Sequence, residues 1–422
     1  MATNKYQKPR GMQDILPKKQ QIWSAVTTKF TRNAENAGFG RISTPILEST
    51  DLFRRAVGEQ TEVVSKEMYT FEDRSGNSLS LKPESTAGVV RAYIENGMAS
   101  LAKPVKLYYI EPHFRYERPQ AGRFRQHHQL GMEVFGDSSA AADVHVIMQG
   151  SRLLSGLGLE HKVAINSIGS KSDRASYVEA LGSYFSKRRS DLPETNQLQL
   201  DNNPLRILDS KDEKVIALIE EAPQILDYLG KESSKRFQQV LEILEGCSVE
   251  YELNSRLVRG LDYYNDTVFE YVVDKSLFGD SLGGGGRYDD LTAQLGGPDT
   301  PAVGLGMGIE RICEVLSKQG FKPEKARLDV FVVAIGSSAL GYAASIRERL
   351  LDAGLSVGAN FTRRSIGDQL AIASKQNARY AVVVGEREAK QKEAIIKDMS
   401  SGNQHTEKND SILSALMSAL RP

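Results

Sequence analysis

Four arginines, Arg115, Arg118, Arg123 and Arg125, crowd the stretch 115–125 with one acid, Glu117, among them. Guanidinium forks match phosphate oxygens two at a time, so this grouping points to a polyanion. A solvated loop tip with scattered charge is the alternative. The polar residues that follow (Gln126, His127, His128, Gln129, Glu133) weigh against it. Three further places carry chemistry. Glu84 and Thr86 stand where an extended segment turns into a helix. Arg259 lies beside Gly260 in an apolar stretch, where glycine lets a ligand approach the backbone; Asp262 can instead be its ion-pair partner. Arg311 falls one turn into a helix after the closely spaced Gly304, Gly306 and Gly308, within reach of a phosphate. The run Gly283, Gly284, Gly285, Gly286 is no phosphate loop, because no G-K-[ST] follows.

These residues need a scaffold. Leu107, Tyr109 and Ile110 precede the arginines, and Leu130, Met132, Val134 and Phe135 follow. Both flanks read as strands, and Pro119, Ala121 and Gly122 break the middle. Two antiparallel strands over 108–136 are expected, joined by a long exposed loop with no reason to fold on itself. Upstream, Pro17 starts a helix whose buried face carries Ile22, Trp23, Val26 and Phe30, and Gly38 follows its end. A long strand over 41–48 is demoted to an edge or end by Pro45, with a subunit contact or a plain edge strand as its two readings. Strands over 69–73 and 79–81 form a hairpin. Ser85 or Thr86 can cap the helix 87–96, which does not account for Glu84. A helix over 143–157 and a strand over 163–169 come next. The charged, helix-patterned segment 171–246 reads as an insertion between strands of one sheet. The sheet resumes over 249–253 and continues through 257–273, and the small-residue strand 302–308 runs into a helix.

The chain has 422 residues, 40% hydrophobic and 26% charged, as in ordinary globular proteins. Lys+Arg and Asp+Glu both total 54, so any nucleic acid must be met by local patches. Cys247 and Cys313 form no C-x-x-C, which fits a reducing compartment and argues against a zinc site or disulfide framework. No signal peptide and no apolar run of spanning length is present, so a cytoplasmic protein with no membrane attachment and no metal site is expected. Residues 317–327 have linker chemistry. Beyond them, strands (330–335, 355–359, 380–385) alternate with helices (340–353, 368–376), the pattern of a separate α/β domain. Arg363, Arg364, Lys375 and Arg379 make a basic patch there, or a merely solvated face.

Taken in order, the helix and strand ending at Pro45, the run Phe114-Arg115-Tyr116-Glu117-Arg118 with its return strand, and 304–311 (GLGMGIER) resemble the three signatures of class II aminoacyl-tRNA synthetases. The blocks 257–264 (LVRGLDYY) and 123–136 resemble the bacterial-type histidyl-tRNA synthetase family. The resemblance implies an α+β fold: a six-stranded antiparallel sheet flanked by helices, a helical insertion (about 171–246) and a C-terminal α/β anticodon-binding domain. Domain limits of 1–325 and 326–422 follow. It implies a homodimer that uses ATP with Mg²⁺ as substrate, without a prosthetic group, to activate L-histidine and pass it to its tRNA. By resemblance Arg115 holds the α-phosphate, Arg123 and Arg311 the β- and γ-phosphates. Arg259 bridges the histidine carboxylate and the α-phosphate. Glu84, Thr86 and Gln129 hold the ammonium, Glu133 and Tyr264 hydrogen-bond the imidazole, and Tyr263 also belongs to the histidine-binding set. Arg118 and Gln120 meet the tRNA acceptor end, with its extra 5′ guanosine, and Arg363 and Arg364 are candidate anticodon contacts. Three positions around the site depart from the family pattern: Lys82 (usually arginine), Ser85 (often glycine) and His127, where an aromatic ring stacks on adenine; in the C-terminal domain Gly367-Asp368 falls where the family tends to be basic. Regulatory paralogues of histidine biosynthesis typically lack the anticodon domain and degrade the signature around Arg259, whereas this chain keeps both. A tRNA-binding module without catalysis is opposed by the intact Glu84, Arg115, Arg259 and Arg311.

Overall fold

The computed structural model describes residues 6–59, 61–119, 122–210, 212–279, 281–323, 327–361 and 365–420. Two compact units emerge, Met1–Phe321 and Lys322–Pro422.

The first unit is organised by one eight-stranded sheet. Its strand order is Gly40–Arg41, Val105–Phe114, Gln126–Phe135, Ala302–Gly308, Gly283–Arg287, Asn265–Val272, Lys162–Ser167, Tyr251–Leu253. The six inner strands pair antiparallel. The short outer strands Gly40–Arg41 and Tyr251–Leu253 pair parallel with their neighbours. The expected six-stranded antiparallel sheet is thus present, with one short strand added at each edge.

Side chains alternate across a strand, so each strand serves two layers. On one face Leu130, Met132, Val134, Val303, Leu305, Met307, Phe269 and Tyr271 join a core. Helices Pro17–Asn36, Ala140–Gly156, Lys231–Gly246 and Ile309–Lys318 complete it with Val26, Phe30, Leu153, Val240, Leu244 and Ile312. Each such side chain contributes about 1.5–3 kcal/mol on burial. On the other face Leu107, Tyr109 and Phe135 meet Val89, Val90 and Tyr93 of helix Thr86–Glu95, together with Phe53 and Val57 of helix Thr50–Val57. The middle of that second face carries the site.

Several expectations change. The segment 41–48 is not one strand. Pro45 separates Gly40–Arg41, in the main sheet, from Leu47–Ser49, which joins Ser78–Leu81 and Tyr69–Glu72 in a small sheet of its own. Residues 254–264 form no strand; Leu257 and Leu261 are apolar because they pack into two different clusters. The arginine loop does fold on itself. The Arg125 guanidinium lies 3.6 Å from the Tyr116 ring centroid, and its backbone N–H donates to Gly11. Within 171–246, Tyr177, Leu181, Phe185, Leu200, Val215 and Ile219 build a separate small core. The last helix of that stretch, Lys231–Gly246, instead buries Phe237, Val240 and Leu244 in the main one.

The second unit has a five-stranded sheet in the order Val357–Ala359, Val330–Ala334, Tyr380–Val384, Glu393–Asp398, Gln404–Lys408. The first three strands run parallel, and the last two add an antiparallel hairpin. Arg379 is half-buried and donates to the Leu420 carbonyl at the end of helix Ile412–Leu420, so it is a helix-end partner. Arg363 and Arg364 lie outside the described residues. Cys247 is exposed, Cys313 partly buried, and neither forms a disulfide. Among the described residues no helix is long and apolar enough to cross a membrane.

Candidate active site

A cavity of about 340 Å³ opens on the second face of the sheet. Its floor follows from strand periodicity. In Gln126–Phe135 the even positions enter the core, so His127, Gln129 and Glu133 share the cavity face. The neighbouring strand places Gly304 opposite Glu133 and Gly308 opposite Gln129. Glycine is required at 304: a Cβ there would overlap the Glu133 carboxylate. Likewise a Cβ on Gly284 would meet the Phe269 carbonyl and come within 3.0 Å of Arg259 Nη1. The two glycine-rich strands therefore leave a trough over the middle of the sheet.

At one end the trough is lined by acids and hydroxyls. Glu133 is buried and accepts from Thr86 Oγ1 at 2.9 Å, from the Tyr109 hydroxyl at 3.1 Å and from the Tyr288 hydroxyl. Burial pushes its pKa up to about 8 against the pull of these donors. Its carboxyl can thus accept or donate near neutral pH. Glu84 is also buried; its two oxygens accept from the Thr86 and Ala87 backbone N–H groups at 2.7 and 2.8 Å. This corrects the capping assignment. Glu84 caps helix Thr86–Glu95, while the side chain of Ser85, the residue at the N-cap, makes no capping bond. A carboxylate offers about four lone-pair sites, so Glu84 retains acceptor capacity toward the cavity it lines. Burial raises its pKa, and the two backbone donors oppose that. Tyr263 and Tyr264 close this end, their ring centroids 4.6 Å apart.

Cations line the other end. Arg115, Arg123 and Arg311 all border the cavity. Arg115 Nε donates to the Pro83 carbonyl at 2.8 Å, and Arg311 Nη1 donates to the Ser281 carbonyl at 2.7 Å. Glu117 sits 3.9 Å from Arg115 Nη1 and 3.7 Å from Arg123 Nη1. His127 lines the same end, and burial lowers its pKa to about 3, so its ring is neutral at physiological pH. Arg259 reaches the cavity from the 254–264 loop, and its ion-pair partner is Glu270 rather than Asp262.

The cavity therefore gathers Glu84, Thr86, Arg115, Arg123, His127, Gln129, Glu133, Arg259, Tyr263, Tyr264 and Arg311. Arg118 is exposed on the loop, away from it, and Gln120 lies outside the described residues. Sequence reasoning missed Tyr109, Tyr288, Glu117 and Glu270. Only Glu117 carried a signal, as the one acid among the arginines. A larger cavity of about 570 Å³ lies between the insertion and the 255–262 segment, sharing Arg259, Gly260 and Leu261. The chemistry concentrates in the smaller one.

Residues 11–312 match the family described as Histidyl-tRNA synthetase, and residues 329–418 match the Anticodon binding domain. The chain belongs to the histidyl-tRNA synthetase family. It is 44% identical over 398 residues to the histidine–tRNA ligase of Synechococcus elongatus, covering 94% of this chain and 91% of that one. It is 41% identical over 416 residues to the Bacillus velezensis enzyme, covering 97% and 98%. The crystal structure of apo S. aureus histidyl-tRNA synthetase superposes with a TM-score of 0.81 at 33% identity, covering 97% of this chain and 99% of that one. As a member of this family the chain is an aminoacyl-tRNA synthetase, a ligase.

Proposed function

We propose that the cavity joins L-histidine to ATP and then passes the histidyl group to its tRNA. The observation that carries this reading is the polarity of one trough, with acids and hydroxyls at one end and arginines at the other. Histidine lies with its imidazole against Glu133 and Tyr264 and its ammonium near Glu84, Thr86 and Gln129. ATP lies along the glycine floor, with Arg115 on the α-phosphate and Arg123 and Arg311 toward the β- and γ-phosphates; Mg²⁺ arrives as part of that substrate. A histidine carboxylate oxygen attacks the α-phosphorus, the bridging P–O bond to the β-phosphate breaks, and pyrophosphate leaves. The carboxylate is already ionised, so this step needs positioning and charge neutralisation more than a base. Arg259 supplies a cation at the junction of the two substrates and stays charged at any physiological pH. The terminal ribose hydroxyl of the tRNA then attacks the carbonyl, releasing AMP.

Arg118 on the loop is positioned to meet the acceptor end, and the second unit binds the anticodon. The first unit carries catalysis within the domain limits of 1–325 and 326–422. The working protein is a cytoplasmic homodimer. Histidine-dependent ATP–pyrophosphate exchange followed by tRNA charging tests the reading. Arg259→Ala is expected to cut exchange strongly while tRNA affinity changes little. Absence of exchange in the unaltered protein would remove the enzyme reading.

A further inference from the structure

Arg259 is asked to point at the junction of two substrates from a segment with no regular structure. Residues 254–264 join no ladder, so nothing in the backbone pairing holds the Arg259 side chain. Its Nε is buried and has no hydrogen-bond partner among the described residues. The fixed point is elsewhere: Glu270 lies on the strand Asn265–Val272, ladder-bonded on both sides, opposite Gly284 and Ala164. Its parity puts it on the cavity face, because Phe269 and Tyr271 on either side of it enter the core. Its carboxylate takes Arg259 Nη1 in an ion pair that is mostly, not fully, shielded, the side chains being 19% and 25% exposed. Space for the pair is made by Gly284, whose Cβ would also stand 2.9 Å from Glu270 Cγ.

We propose that Glu270 is a positioning residue for the adenylation step: it anchors one edge of the Arg259 guanidinium to the rigid sheet and aims the other into the cavity. This rests on the reading of Arg259 given above. The other acids of the cavity are already engaged. Glu84 caps a helix, Glu133 takes three hydroxyls, Glu117 faces Arg115 and Arg123, and Glu310 accepts from the His128 backbone. Glu270 alone among them addresses Arg259. An arginine has four side-chain rotors, so losing the anchor spreads the cation over many orientations with few on target.

The test is pyrophosphate-exchange kinetics on Glu270→Gln, Glu270→Asp, Arg259→Ala and the double variant Arg259→Ala/Glu270→Gln, each first matched in melting temperature to the parent. Glu270→Gln is expected to lower exchange kcat about 10- to 100-fold while both substrate KM values stay within about threefold. Glu270→Asp keeps the charge and is expected to recover part of the rate. In the Arg259→Ala background, Glu270→Gln should cost nothing further, because the residue it positions is gone. An unchanged kcat in Glu270→Gln would overturn the proposal, and so would losses that multiply in the double variant, the signature of a merely structural acid. Full exchange in Arg259→Ala would instead bring down the reading of Arg259 itself, and this inference with it.

Discussion

At the Glu133 end of the cavity each polar group is tied to another: Thr86, Tyr109 and Tyr288 converge on one carboxylate, which is 1% exposed. At the Arg115 end the cations sit on a loop and at a helix start, and Glu117 stands between two of them. On the proposed reading the two ends face different recognition problems. A ring with one donor and one acceptor nitrogen is told apart by fixed partners in a dry site, where a mismatched ligand leaves buried groups unpaired. A triphosphate is held by charge, which tolerates looser geometry and must release pyrophosphate after each turnover. Rigid strands suit the first task and loop-borne arginines the second.

The comparison predicts a hierarchy. Removing charge at the reacting phosphorus should cost most. Arg115→Ala is expected to lower exchange kcat about 10³-fold, the scale of losing one preorganised electrostatic contact to a transition state. A loss under about tenfold would move the α-phosphate role to another arginine.

Next comes a methyl group at the floor of the histidine end. Gly304→Ala places a Cβ into the Glu133 carboxylate and 2.8 Å from the Met132 carbonyl. The side chain must move, because the backbone of two ladder-bonded strands cannot. Histidine KM is expected to rise about 100-fold, with about 1–3 kcal/mol lost in stability. ATP KM should barely change. Equal rises in both would show that the two ends are not separately built.

The pH dependence separates the ends again. Glu133 has its pKa raised from 4.5 to about 8. Between those values the folded protein holds a proton that the unfolded chain releases. Stability from this group is therefore complete below about pH 4.5 and is lost as pH rises through about 8. His127 runs the other way: its pKa falls from 6.5 to about 3, so it destabilises only as pH drops below about 6.5. Melting curves of the substrate-free protein at pH 6 and pH 9 should show a smaller drop for Glu133→Gln than for the parent. Identical drops would mean that Glu133 is ionised throughout.

What was legible in the sequence follows the same division. The strand Gln126–Phe135 announces itself because Leu130, Met132 and Val134 alternate with Gln129, Gly131 and Glu133, and that alternation is the difference between core and cavity. Glu270 and Tyr288 were opaque for a physical reason. Tyr288 finds Glu133 across the sheet, through strands distant in the chain, and Glu270 takes its partner from the irregular 254–264 loop; no local pattern encodes either contact. The 254–264 loop misled because Leu257, Val258 and Leu261 mimic a strand while packing against separate elements. In the second unit the strand Gln404–Lys408 is almost wholly exposed, so no apolar period marks it.

The smallest expected effect concerns His127, and it decides whether the ATP end contains any prebuilt element at all. Lys82, Ser85 and His127, three of the positions the sequence reading set apart from the family pattern, form one connected cluster. Lys82 Nζ meets Glu111 Oε2 at 2.5 Å, and the Ser85 hydroxyl donates to the same oxygen at 2.8 Å. Having spent its one proton there, Ser85 accepts from His113 Nε2–H at 2.6 Å. His113 in turn packs edge-on against His127 with ring centroids 5.5 Å apart. A buried, hydrogen-bonded wall therefore backs the ring proposed to face adenine. Being neutral, His127 can stack, but with less apolar area than phenylalanine. His127→Phe is expected to lower ATP KM about two- to fivefold and leave histidine KM alone, because the wall holds the new ring in the same plane. If ATP KM does not move, stacking at 127 contributes nothing and the phosphates alone hold the nucleotide. If it rises, the wall is shaped for an imidazole.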